Sequence, residues 1–146
     1  MTKKLDALTD RLRQLGAPDP EEWAASELDE DIPQTAAFMA MRNLWPDLIN
    51  IWRDPAVIAR SPAAQALLDA GVRPELVSRA MGHAALQGVM GTLWELTGGD
   101  ETPDGAPSVQ LMEVDPRGKV TGRVVSGLHE SILFLDPSGQ DGADLL

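Results

Sequence analysis

The chain contains no cysteine, so it forms no disulfide, offers no thiolate nucleophile and holds no zinc or iron–sulfur cluster through sulfur. It contains no tyrosine, which removes any reaction that runs through a phenolic nucleophile or base. Basic side chains are few: three lysines and nine arginines stand against 23 acidic residues, giving a net charge of −11. A polyanionic nucleic acid is disfavoured as a partner, because its affinity comes mainly from Lys and Arg neutralising phosphates. An anionic membrane surface is disfavoured for the same reason. Such a field attracts a basic protein and speeds encounter with it. The same acidity also serves solubility.

Long apolar runs are missing as well. No stretch approaches the roughly 18 apolar residues that a membrane span needs. Lys3 and Lys4 are followed by Asp6, Asp10, Arg11 and Arg13 where the apolar core of a signal peptide would lie, so the expected compartment is the cytoplasm. Arginine over lysine, with abundant alanine and glycine, fits a bacterium with a GC-rich genome.

At 146 residues the chain reads as one domain, 1–146. The expected fold class is α+β, predominantly α-helical: a compact helical domain with a C-terminal β-hairpin and a short final helix. The helical portion is placed at 1–99, a polar loop at 100–107, the hairpin with the short helix at 108–136, and a loose tail at 137–146.

Leu5, Leu8, Leu12 and Leu15 make one stripe of a first helix over 2–15, ended by Gly16 and Pro18. Asp19–Pro20 is an N-cap followed by a first-turn proline and opens a helix to about Leu28, anchored by Trp23. Phe38, Met41, Trp45, Leu48 and Trp52 are spaced three, four, three, four, so 34–52 is helical. Pro46 should kink it or split it in two. Trp45 and Trp52 are expected in the core. Asp54–Pro55 and Ser61–Pro62 repeat the cap-then-proline signal, and Gly71 is a natural helix end. A helix over 74–97 follows. Asp115-Pro116-Arg117-Gly118 is turn chemistry between strand-like segments, so 108–125 reads as a hairpin. Leu128, Ile132 and Leu135 then fall at helical spacing.

The helix over 74–97 carries Ala80, Ala84, Gly88 and Gly91 as a stripe of small residues. An interior helical glycine costs about 1 kcal/mol relative to alanine. The expected gain is close approach of a neighbouring helix, either inside the domain or across a homodimer seam. With Leu76, Leu86, Met90, Leu93 and Trp94 on other faces, this helix should be central.

Motifs for chemistry are sparse. The phosphate-cradling patterns G-x-x-x-x-G-K-S/T and G-x-G-x-x-G are absent, as are G-x-S-x-G and H-E-x-x-H. His83 reads as a hydrogen-bonded core or interface residue. His129 and Glu130 are adjacent on a helix and therefore do not face each other. The acidic segment lacks the glycine-turned loop of an EF-hand. No catalytic residue, metal or cofactor is expected. The stretch Leu67-Leu68-Asp69-Ala70-Gly71-Val72-Arg73, with Val77 and Gly82-His83, resembles part of the tyrosine-recombinase catalytic domain. That chemistry needs an attacking tyrosine, so the resemblance implies a helix–turn–helix packing pattern and no activity.

From Asp19 to Asp31 there are seven acidic residues and no basic one. The expected function is therefore a non-catalytic bacterial protein-binding module, in its concrete form an immunity protein or antitoxin that covers a basic partner. Glu27, Asp29, Glu30 and Asp31 would supply the charge and Trp23 an apolar anchor. The alternatives are a structural or regulatory homo-oligomer packed through Ala80, Ala84, Gly88 and Gly91, and a small enzyme using His83, His129 and Glu130.

Overall fold

A computed structural model describes residues 2–97 and 109–146. The described chain is mostly helical with one antiparallel hairpin, as the composition and periodicity predict. The loop expected at 100–107 lies outside the described residues. The chain folds as two compact units, Met1–Arg42 with Leu93–Leu128 and Asn43–Thr92 with His129–Leu146. No helix among the described residues is long and apolar enough to cross a membrane.

In the first unit, α1 (Thr2–Leu15) packs on α2 (Pro20–Glu30), and α2 packs on α3 (Gln34–Met41). The leucine stripe of α1 turns inward: Leu12 is fully buried, and Leu5, Leu8 and Leu15 are half-buried. Burying a leucine of this kind contributes about 1.5–3 kcal/mol. Phe38, Met41, Ala24 and Leu93 complete the apolar interior. Asp19 differs from expectation. Its φ of 44° is left-handed, and its side chain caps nothing; its carbonyl oxygen instead accepts from the Glu22 and Trp23 amides.

The hairpin pairs β1 (Leu111–Val114) with β2 (Val120–Val125), and β2 packs on α3. Leu111 faces Val125, the buried end of the pair, and a bulge follows between Met112 and Val114. The turn forms as its residues dictate: the Asp115 carboxylate accepts from the amides of Arg117 (2.8 Å) and Lys119 (2.9 Å).

In the second unit, Pro46 acts as its lack of an amide requires. The helix stops at Met41, and a π turn over Trp45–Ile49 begins with Pro46 in its first positions, followed by a 3₁₀ turn over Asn50–Arg53. A π turn holds one more residue per turn than the α-helix. The stripe is therefore delayed by one position: Ile49 is buried, and the predicted Leu48 is exposed. Trp45 is buried as expected, whereas Trp52 is only half-buried.

Helices α4 (Pro55–Arg60) and α5 (Pro62–Asp69) start where the cap–proline pairs predict. Asp54 accepts from the Ala56 amide at 2.8 Å, and Ser61 accepts from the Ala64 amide at 3.3 Å. Gly71, at φ 84°, ends α5 in the left-handed conformation that glycine adopts without penalty, with Val72 N–H bonded back to the Leu67 carbonyl. Ile58, Ala64 and Val77 form a small core with Leu68, Val72 and Met81 packed against it.

Helix α6 (Pro74–Thr97) has the predicted bounds but not the predicted surroundings. Val77, Leu86 and Leu93 are buried, while Ala80, Ala84, Gly88 and Gly91 are all exposed. A methyl group added at Gly88 or Gly91 would meet nothing within 4 Å among the described residues, so neither glycine serves a close approach between described parts of the chain. The close approach is at Gly82, where an added Cβ would sit 3.1 Å from the Leu145 side chain.

The chain continues through α7 (Leu128–Ser131) and a 3₁₀ turn over Leu133–Leu135, in place of one last helix. The expected loose tail is instead fastened. A 3₁₀ turn over Ala143–Leu145 buries Leu145 to 6% exposure, against the second unit's own interior.

Candidate functional site

The acidic segment lies on α2 and the link to α3. Of its seven acidic side chains, Asp19, Glu21, Glu22, Asp29, Glu30 and Asp31 belong to exposed residues and Glu27 to a buried one. Two of the exposed six have a cation beside them. Arg13 bridges Asp10 and Glu21, and Asp31 lies 3.6 Å from the Arg123 guanidinium. Glu21 is held below the usual carboxylate range by its backbone amide and by the Arg13 hydrogen bond. Asp19, Glu22, Asp29 and Glu30 have no ion pair among the described residues. Glu30 only accepts from the Ser26 hydroxyl, at 2.9 Å.

Glu27 is a correction to the sequence expectation. It is not a surface contact: one oxygen accepts from the Thr35 amide (2.7 Å) and hydroxyl (2.8 Å), and the other accepts from Arg123 (3.2 Å). Arg123 also donates to the Ile32 carbonyl at 2.7 Å and pairs with Glu113 at 3.3 Å. One arginine thus ties α2, the link to α3 and both hairpin strands together. Trp23 also points partly inward, half-buried and edge-on to Phe38 with ring centres 5.7 Å apart. The large apolar side chain that α2 does expose is Leu28, at 42%. Helical period alone would not have found it, because Leu28 is four residues after the buried Ala24 and falls on the same side of an ideal helix.

The second unit holds a half-open cleft of about 420 Å³. Pro55, Ile58, Leu68, Pro74 and Leu145 give it an apolar floor. Arg53, Glu75, Ser78, Arg79 and Asp144 give it polar sides. The Ser78 hydroxyl donates to the Trp52 carbonyl at 2.7 Å, and Arg53 is engaged by Asn50 and Asp144. The C-terminal turn that brings Asp144 and Leu145 to the cleft is tied by Asp136. This buried carboxylate accepts from the Ser138 amide (2.9 Å), the Ser138 hydroxyl (2.8 Å) and the Gly142 amide (2.8 Å). Burial alone would raise the Asp136 pKa; those bonds and the Arg53 charge outweigh it and hold the group below its usual value.

Neither histidine lines the cleft. His83 is half-buried, and its Nδ1 has no hydrogen-bond partner among the described residues, contrary to the expected bonded role. His129 Nε2 lies 3.8 Å from Glu130, too far for a hydrogen bond. Among the described residues no group of three or more His, Asp or Glu side chains is placed to hold a metal ion. No family model, curated protein or solved structure matches the chain.

Proposed function

We propose that the protein is a non-catalytic protein-binding module of a bacterial cytoplasm, and that the α2 face takes a basic protein partner. The concrete form is a neutraliser of the immunity-protein or antitoxin kind. The observation that carries this reading is the charge of one short segment: Asp19, Glu22, Asp29 and Glu30 are exposed and have no ion pair among the described residues. Leu28, also exposed on α2, would supply an apolar contact beside that charge. A complementary basic surface would be steered toward it, raising association rates by roughly 10–10³. The test is capture from the source organism's lysate at low and high salt, with wild type beside Asp29→Lys/Glu30→Lys/Asp31→Lys. A stoichiometric basic protein, weakened by salt and lost with the reversed charges, supports the reading. Equal retention by both baits contradicts it.

A second reading is a homo-oligomer assembled through α6. It is favoured by the exposure of Ala80, Ala84, Gly88 and Gly91, and by the open space that a Cβ at Gly88 or Gly91 would meet among the described residues. Sedimentation equilibrium decides it: a monomer throughout the micromolar range removes this reading.

A further inference from the structure

The cleft of the second unit is not used by the acidic-face reading, and it has the size and make-up of a ligand site. Small-molecule sites occupy about 300–1,000 Å³ and combine an apolar lining with a few polar groups that set orientation. This one encloses about 420 Å³ over Pro55, Ile58, Leu68, Pro74 and Leu145. Its polar groups differ in how far they are already engaged.

Ser78 has used its proton on the Trp52 carbonyl. One Asp144 oxygen pairs with Arg53, which also donates to Asn50, while the other is buried without a hydrogen-bond partner among the described residues and keeps its negative charge at the cleft. Arg79 is exposed and makes no ion pair or side-chain hydrogen bond among the described residues, so all its donors are available. A guanidinium of this kind takes an oxyanion through two parallel N–H bonds. The counter-influence is Glu75, one helical turn before Arg79 and also lining the cleft. Glu75, Asp144 and the overall charge of −11 together set the limit on how much negative charge the cleft tolerates. A singly charged anion meets less repulsion there than a doubly charged phosphate.

We propose that this cleft binds a small apolar carboxylate, with its hydrocarbon body on the Ile58–Leu68–Leu145 floor and its carboxylate on Arg79. Glu75 then acts as a brake on affinity, because its charge opposes that of the ligand.

The test is isothermal titration of the full chain with octanoate, octanol, octylammonium and octyl phosphate, on wild type, Arg79→Gln and Glu75→Gln. Both substitutions are at exposed helix positions, and thermal melts check that the fold is retained. Octanoate should bind one to one and more tightly than the other three probes. Arg79→Gln should weaken octanoate binding by about tenfold or more, the scale of a lost charge-assisted hydrogen bond. Glu75→Gln should tighten it. Octanol or octylammonium binding as tightly as octanoate would overturn the carboxylate assignment, as would preferred binding of octyl phosphate. Unchanged affinity in Arg79→Gln would overturn the role of Arg79, and a weaker Glu75→Gln would reverse the sign on which the proposal rests. No saturable heat at millimolar octanoate would overturn the site itself.

Discussion

The indole N–H of Trp45 donates a 2.7 Å hydrogen bond to the carbonyl oxygen of Ile132, across 87 positions of sequence and entirely out of water. The bond anchors the returning C-terminal segment to the π turn. Trp45→Phe keeps an aromatic ring but leaves the Ile132 oxygen without its donor. The expected loss is about 1–3 kcal/mol from the unmet acceptor, with a further contribution from the smaller ring. Urea unfolding followed by far-ultraviolet circular dichroism measures it.

Glycines on the same protein should respond in opposite directions. Gly142 has φ 78°, and a Cβ there would lie 2.7 Å from the Leu86 side chain and 3.7 Å from the Trp45 ring. Gly142→Ala combines backbone strain with a clash and should cost about 2–4 kcal/mol. Gly88→Ala and Gly91→Ala meet open space in a helix and should each stabilise by up to about 1 kcal/mol. Differential scanning calorimetry of the three variants tests this contrast. If the α6 stripe is a seam between copies, the alanines would also weaken the oligomer while stabilising the chain.

Glu27 and its exposed neighbours should separate stability from binding. Glu27→Ala leaves the Thr35 amide and hydroxyl without their acceptor and takes one carboxylate from Arg123, which keeps Glu113 and the Ile32 carbonyl, in a site where Glu27 is only 9% exposed. A loss of about 1.5–3 kcal/mol is expected. Asp29→Lys and Glu30→Lys should change stability by no more than about 0.5 kcal/mol, since neither has an ion pair to lose. Asp31→Lys removes only its contact with Arg123, and the Asp31 side chain is 93% exposed, so the cost should also be small. Chemical denaturation at fixed pH distinguishes the two groups.

Acid should release the C-terminal turn. The Asp136 pKa is lower in the folded chain than in the unfolded one, so its contribution is complete above the ordinary carboxylate value of about 4 and is lost as pH falls through the folded value. The stability difference between wild type and Asp136→Asn should therefore be largest at neutral pH and shrink in acid. A difference that is constant from pH 7 to pH 3, or one that grows in acid, would contradict the direction assigned to Asp136.

The elements most legible in the sequence are those set by local chemistry. Asp54–Pro55, Ser61–Pro62 and Gly71 place helix ends through backbone groups that only a cap, a proline or a left-handed residue satisfies, and those ends stand where they were read. Periodicity succeeded in α1 and failed by one residue at Leu48, because Pro46 forces a π turn whose repeat differs from the one assumed. Ala80, Ala84, Gly88 and Gly91 are all exposed on α6, and a stripe records which residues share a face and not what lies opposite it. The same limit applies to charge. Charge alone does not distinguish Glu27 from Asp29; Glu27 lies four residues after the half-buried Trp23, and its partners are Thr35 and, 96 residues away, Arg123. The cleft was invisible because its floor is assembled from α4, α5, α6 and the C-terminal turn, and no spacing within one segment encodes that meeting.

The acidic face is tested most directly by the dissociation constant of its basic partner, measured for wild type and for Asp29→Lys/Glu30→Lys/Asp31→Lys at one ionic strength near physiological. The acidic-face reading predicts at least about a hundredfold weaker binding for the reversed variant, equivalent to about 2.7 kcal/mol, with unfolding free energies that agree within about 1 kcal/mol. A dissociation constant that does not move would contradict the reading and place the partner elsewhere on the protein.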